Sequence, residues 1–102
     1  MTTHAVAAIA AAIQGKRCLR INYDPGDRLI EPHTLGRGSD GQLLLRAYQV
    51  SGASNSGEHE HWKLFRVDRI HFIEPDYAVS NAPRHGYKRG DKAMKAGIIS
   101  EL

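Results

Sequence analysis

Only one cysteine, Cys18, stands in the 102 residues. No internal disulfide can form, which fits a reducing compartment. Cys18 itself reads as a small buried apolar side chain in a strand. No lysine or arginine precedes the apolar run from Ala5 to Ile13, so a secretory leader is not expected. That run is also too short for a membrane span, which takes about 20 residues. The expectation is a cytoplasmic protein with no membrane contact. There is no internal repeat and no long low-complexity tract.

Catalytic signatures are missing as well. Gly36-Arg37-Gly38 is too short for a phosphate loop, and no strand-to-helix step follows it. No nucleophile elbow or Cys/His arrangement stands out. Asp24 and Asp27 flank Pro25-Gly26, where carboxylates serve as turn formers. Glu58-His59-Glu60-His61 has alternating ligand types, but zinc wants three or four ligands and no other Cys or His sits at ligand spacing. The chain is therefore expected not to be an enzyme, and no cofactor or metal is assigned.

What is present is ordinary globular material: 41% hydrophobic and 25% charged residues. The length fits one domain with a modest core. Fourteen Lys and Arg against eleven Asp and Glu give +3. This mild excess permits an anionic partner without requiring one.

Read in order, Thr2 or Thr3 can cap a helix carrying Val6, Ile9 and Ile13 on one face. Gly15 is a natural stop. Cys18 to Tyr23 reads as a strand, with Leu19, Ile21 and Tyr23 on one face and Arg20 and Asn22 on the other. Asp24-Pro25-Gly26-Asp27 is a turn in which Gly26 accepts positive φ. Arg28 to Leu35 is a second strand. Pro32 cannot donate a ladder bond, so this strand lies at an edge or bulges there. Asp40-Gly41 signals a hairpin into a third strand, Gln42 to Val50. Ser51 to Glu60 is a polar loop. Trp62 to Val67 is the fourth strand, with Phe65, Val67, Lys63 and Arg69 on one face and Trp62, Leu64 and Arg66 on the other. Ile70 to Ile73 is a short fifth.

Residues 1–80 therefore make the folded unit. Residues 81–102 form a basic tail in which Asp91 can cap a short helical turn. Apolar residues on both faces of several strands argue for a strongly bent sheet, a small partly closed barrel with a helix across one end.

The cations are distinctive in their placement. Arg20, Arg28, Arg46, Lys63, Arg66 and Arg69 lie in strands, with Tyr23, Tyr48 and Trp62 among them. Single-stranded nucleic acid is held in this way, by cations on the backbone and aromatic faces against bases. Scattered surface charge over core aromatics gives the same pattern, and composition alone does not separate the two. His33 and His71 read as hydrogen-bonded residues at the core edge.

Three segments together resemble the WYL domain family: Arg28-Leu29-Ile30-Glu31-Pro32, Asp40 through Tyr48, and Phe65-Arg66-Val67-Asp68-Arg69-Ile70. The last is the most specific, because the family reads Phe-Arg-x-Asp-Arg-Ile there. The resemblance implies a mainly β, Sm-like or SH3-like five-stranded barrel with an N-terminal helix, followed here by a C-terminal extension. It implies a ligand-sensing module of the kind found in bacterial transcription regulation and defence, several of which bind single-stranded DNA or RNA in a basic groove. By position, Arg28, Tyr48, Lys63 and Arg66 match expected groove residues, and His33, Arg46 and Arg69 join them in the candidate set. Leu43-Leu44-Leu45 stands where the family's name-giving Trp-Tyr-Leu is found, which alters the aromatic lining.

No helix pair suited to reading duplex DNA occurs in the sequence. The expectation is a stand-alone module for single-stranded nucleic acid or a small anionic ligand. The alternative is an adaptor for a separate regulator protein, or a homodimer module, that binds no nucleic acid.

Overall fold

The structure, a computed structural model, describes residues 2–102, with side chains from His4 onward. The expected cap by Thr2 or Thr3 falls outside those side chains.

Helix α1 spans Thr2–Gly15. Ile9, Ala12 and Ile13 are buried, as the apolar stripe requires. The helix ends at Gly15, as expected. Lys16 takes the left-handed position at φ 50°. The Lys16 N–H donates to Ile13 O at 3.2 Å and the Arg17 N–H to Ala12 O at 2.9 Å, which satisfies two of the helix's last carbonyls.

Six strands follow: β1 Cys18–Tyr23, β2 Gly26–Arg37, β3 Leu43–Gly52, β4 His61–Arg66, β5 Phe72–Asp76 and β6 Gly97–Glu101. All pairings are antiparallel, in the order β4-β3-β2-β1-β5, with β6 added beside β2. The path is open, ending on β4 and β5. The expected strands form this path, the fifth displaced from residues 70–73 to Phe72–Asp76, and β6 comes from the C-terminal extension. The first turn differs from expectation: Gly26 already pairs with Tyr23, so Asp24 and Pro25 alone form the corner.

Strand β2 organises the sheet. One side pairs with β3 along most of its length. The other pairs first with β1, up to Ile30, and then with β6, from Thr34 onward. Pro32 falls between these two ladders, beside a register shift against β3 between Pro32 and Thr34. A residue without an N–H suits that gap, and the irregularity bends the strand. Gly36 lets the C-terminal stretch approach, since a Cβ there would lie 2.6 Å from Gly97 O and 2.9 Å from Met94 Cβ.

The Phe-Arg-Val-Asp-Arg-Ile segment has a local explanation. Strand β4 ends at Arg66, and Val67–Arg69 form a 3₁₀ turn. Phe65, Val67 and Ile70 enter the core, while Arg66 pairs with Asp68 across the turn at 2.9 Å. Arg69 therefore leaves the strand face expected for it and stands exposed on the turn. The core joins Ile9 and Ile13 to Leu19, Ile21, Ile30, Leu35, Leu45 and Phe65. No helix among the described residues is long and apolar enough to cross a membrane.

Candidate functional site

Alternation along β3 sends Leu43, Leu45, Ala47 and Gln49 inward and leaves Arg46 and Tyr48 on the outer face. Register then sets Glu31, Tyr48 and Trp62 in a row across β2, β3 and β4. The chain from residue 81 to residue 94 crosses this face as a strap.

The strap is fastened at its start by Arg84. Its guanidinium donates to both Glu31 oxygens, at 2.6 and 3.3 Å, and lies 4.4 Å from the Tyr48 ring centre. The Asn81 N–H adds a third bond to Glu31 at 2.7 Å. Paired to Glu31, the Arg84 guanidinium is held above its ordinary range. The Arg84 backbone N–H donates to His33 Nε2 at 3.0 Å. Because Nε2 accepts, the proton sits on Nδ1, which donates to Glu31 O at 2.8 Å. Burial pushes the His33 pKa down, partly opposed by that carbonyl bond and by the Glu31 charge. Trp62 packs edge-on against His33 at 4.6 Å and Tyr48 at 5.6 Å, and its indole N–H donates to His85 O at 3.2 Å.

Further along, Asp91 receives both forks of Arg46, at 2.7 and 3.3 Å. Arg46 holds the Asp91 carboxyl below its ordinary value, against the effect of partial burial. Between these two fastenings a groove of about 440 Å³ opens, walled by Arg46 and Trp62 on the sheet and by residues 86–92 of the strap.

The expected site residues divide. His33, Arg46 and Tyr48 come together on this face. Arg28 does not: it is 4% exposed, inside the sheet's other end. Its guanidinium donates to the Tyr23, Asp24 and Gln49 oxygens and lies near the Tyr23 and Phe65 rings. Lys63 is turned to the Ser54 and Ser56 hydroxyls at 3.0 and 3.1 Å. Arg66 is engaged by Asp68, and Arg69 stands beyond it.

Trp62, read from the sequence as one of the aromatics among the strand cations, joins His33, Arg46 and Tyr48. Arg84, Tyr87, Lys88 and Asp91 of the tail join the site without having been singled out for it. The basic, aromatic composition of the tail was the available signal. Among the described residues no group of three His, Cys, Asp or Glu could hold a metal ion. His59 instead bonds Gly52 O at 2.6 Å, and His61 faces Glu58 at 3.7 Å.

The geometry can be set beside known proteins. No curated protein matches the chain. Among solved structures, proteasome accessory factor B/C (PafBC) of Arthrobacter aurescens is similar at a TM-score of 0.63 and 25% identity, over 83% of this chain. This chain spans 13% of that protein's length. The likeness extends to the mainly β, Sm-like arrangement with its leading helix. The sequence profile of the WYL domain matches residues 4–75, from α1 into β5, and the chain belongs to the WYL domain family.

Proposed function

We propose that the chain is a regulatory ligand-binding module, and that its groove takes an anion bearing a flat ring, with single-stranded nucleic acid the leading class. The family and the likeness to PafBC support the regulatory part. The groove carries the rest: Arg46, Lys88, Arg89 and Lys92 line it with Asp91, Arg89 also pairing with Glu101 at 3.4 Å, and Trp62 and Tyr87 stand in the same wall. Cations of this kind hold phosphates, and aromatic faces accept bases without regard to sequence. Tyr48 and His33 lie behind the wall and fix Trp62. The role is binding, without chemical conversion of the ligand.

Fluorescence anisotropy with a labelled oligothymidylate at low and high salt tests this. Backbone contacts give a log–log salt slope of about −0.7 per phosphate neutralised. Lys88→Ala with Lys92→Ala should weaken binding and flatten the slope. Absence of binding at low salt, or binding indifferent to salt, removes the proposal.

A second reading has its own observation. Tyr77 and Val79, between β5 and the strap, are 95% and 84% exposed. Such apolar side chains suit docking to a separate regulator protein or a second copy. Light scattering of wild type against Tyr77→Ser with Val79→Ser separates the readings, because those changes leave the groove intact.

A further inference from the structure

The strap is fastened by ion pairs of opposite sense. At Arg84 the strap supplies the cation and the sheet the carboxylate; at Asp91 the roles reverse. Their surroundings differ too. The Glu31 side chain is 1% exposed and sealed beneath the strap. The Asp91 and Arg46 side chains are 12% and 30% exposed and open onto the groove. One end is anchored and the other can be exchanged.

We infer that Asp91 is a built-in competitor for the groove's anion position, and that an entering phosphate or carboxylate displaces it from Arg46 and loosens the turn that Asp91 holds at residues 93–96. This rests on the anion-binding reading above. Arg46 presents Nε and Nη2 to the two Asp91 oxygens, the paired fork geometry that a phosphate uses. The same two N–H groups cannot serve both anions. A ligand that entered without exchange would set a second negative charge beside Asp91. Exchange instead replaces one anion on Arg46 by another, and the freed carboxylate goes to water.

Release has a defined path onward. Asp91 Oδ1 accepts the Ala93 N–H at 2.9 Å and Asp91 O the Met94 N–H at 3.1 Å, so this side chain and its backbone shape the turn. Met94 is buried close to Gly36, and the Ala96 N–H donates to Arg37 O at 3.0 Å. Strand β6 begins at the next residue, Gly97. Occupancy of the groove is thereby reported to the far end of β2.

Asp91→Asn tests the exchange. It removes the charge and keeps an oxygen for the Ala93 N–H. Asp68→Asn is the control, deleting the same charge from the Arg66 pair outside the groove. With labelled oligothymidylate as probe, Asp91→Asn should bind about five- to tenfold more tightly than wild type, and Asp68→Asn within about twofold. Hydrogen exchange on the wild-type protein, which needs no variant, should rise across residues 93–96 when the oligonucleotide binds.

If wild type binds while Asp91→Asn binds equally or more weakly, the competitor role is wrong and the groove reading stands. An equal gain in Asp68→Asn reduces the effect to bulk charge and also overturns it. So does a fall in exchange across 93–96 on binding. If neither protein binds, the groove reading and this inference fall together. Binding by Asp91→Asn alone supports both.

Discussion

Arg84→Ala removes the cation from a carboxylate that is only 1% exposed beneath the strap. Glu31 is left with the Asn81 N–H as its remaining bond. Breaking a buried pair by deleting one partner costs about 3–5 kcal/mol, because the other charge stays buried. Arg84 is itself 23% exposed, so water follows the truncation and partly solvates the carboxylate. That places the ionic loss near about 2–3 kcal/mol. Losing the guanidinium over Tyr48 adds about 0.5–1 kcal/mol. The expected total is about 3 kcal/mol. In a domain of this size each kcal/mol moves the midpoint by about 4–8 °C, so Tm should fall by roughly 12–24 °C.

Thermal and urea unfolding followed by circular dichroism measure this. The paired variant Glu31→Gln with Arg84→Met removes both charges and should recover most of the loss, since an apolar replacement of a buried pair is often near neutral. A cost below about 1 kcal/mol for Arg84→Ala would refute the reasoning, because Glu31 would then have to be solvated and the strap unanchored.

Further outcomes follow from the structure. Burial holds the His33 pKa below its ordinary 6.5, so the unfolded chain takes up the proton first as pH falls. The stability contributed by neutral His33 is complete above about pH 6.5 and declines below it, and His33→Asn should flatten that decline in thermal melts. The Asp91 contribution is lost only at lower pH, below the ordinary 3.8 of its carboxyl. Arg28→Ala, which strips the Tyr23, Asp24 and Gln49 oxygens of a buried donor, should cost about 3 kcal/mol in urea unfolding. Arg66→Ala, in an exposed pair, should stay within about 0.5 kcal/mol.

The sequence made local features readable and distant ones obscure. The apolar stripe of α1, the alternation in β1 and the Asp40-Gly41 corner are short-range signals. The structure has a helix, a strand and a hairpin there, with Gly41 at φ 79°. Pro32 was readable as an edge or bulge position because its missing N–H is a property of one residue, and the structure has the irregularity in a central strand.

Strand β6 was not readable. It is short and follows a glycine-rich polar stretch, and its partner lies far back in the chain. The site suffered in the same way. Arg46 and Tyr48 were identifiable as strand-borne groups, but their neutralising and covering partners, Asp91 and Arg84, come from the tail. Arg28 misled for a different reason. Alternation does not reveal that a turn's carbonyls and two rings will enclose a guanidinium.

The split partnership of β2 bears on how the chain is made. Its second half waits for a neighbour synthesised roughly sixty positions later, about 3–12 s at ordinary translation speeds. Until then Thr34 to Arg37 present a bare ladder edge on the nascent polypeptide, and such edges invite pairing with other chains. Ribosome-bound intermediates should therefore be most vulnerable to aggregation in this interval, and a chaperone holding that edge would raise the yield of native protein.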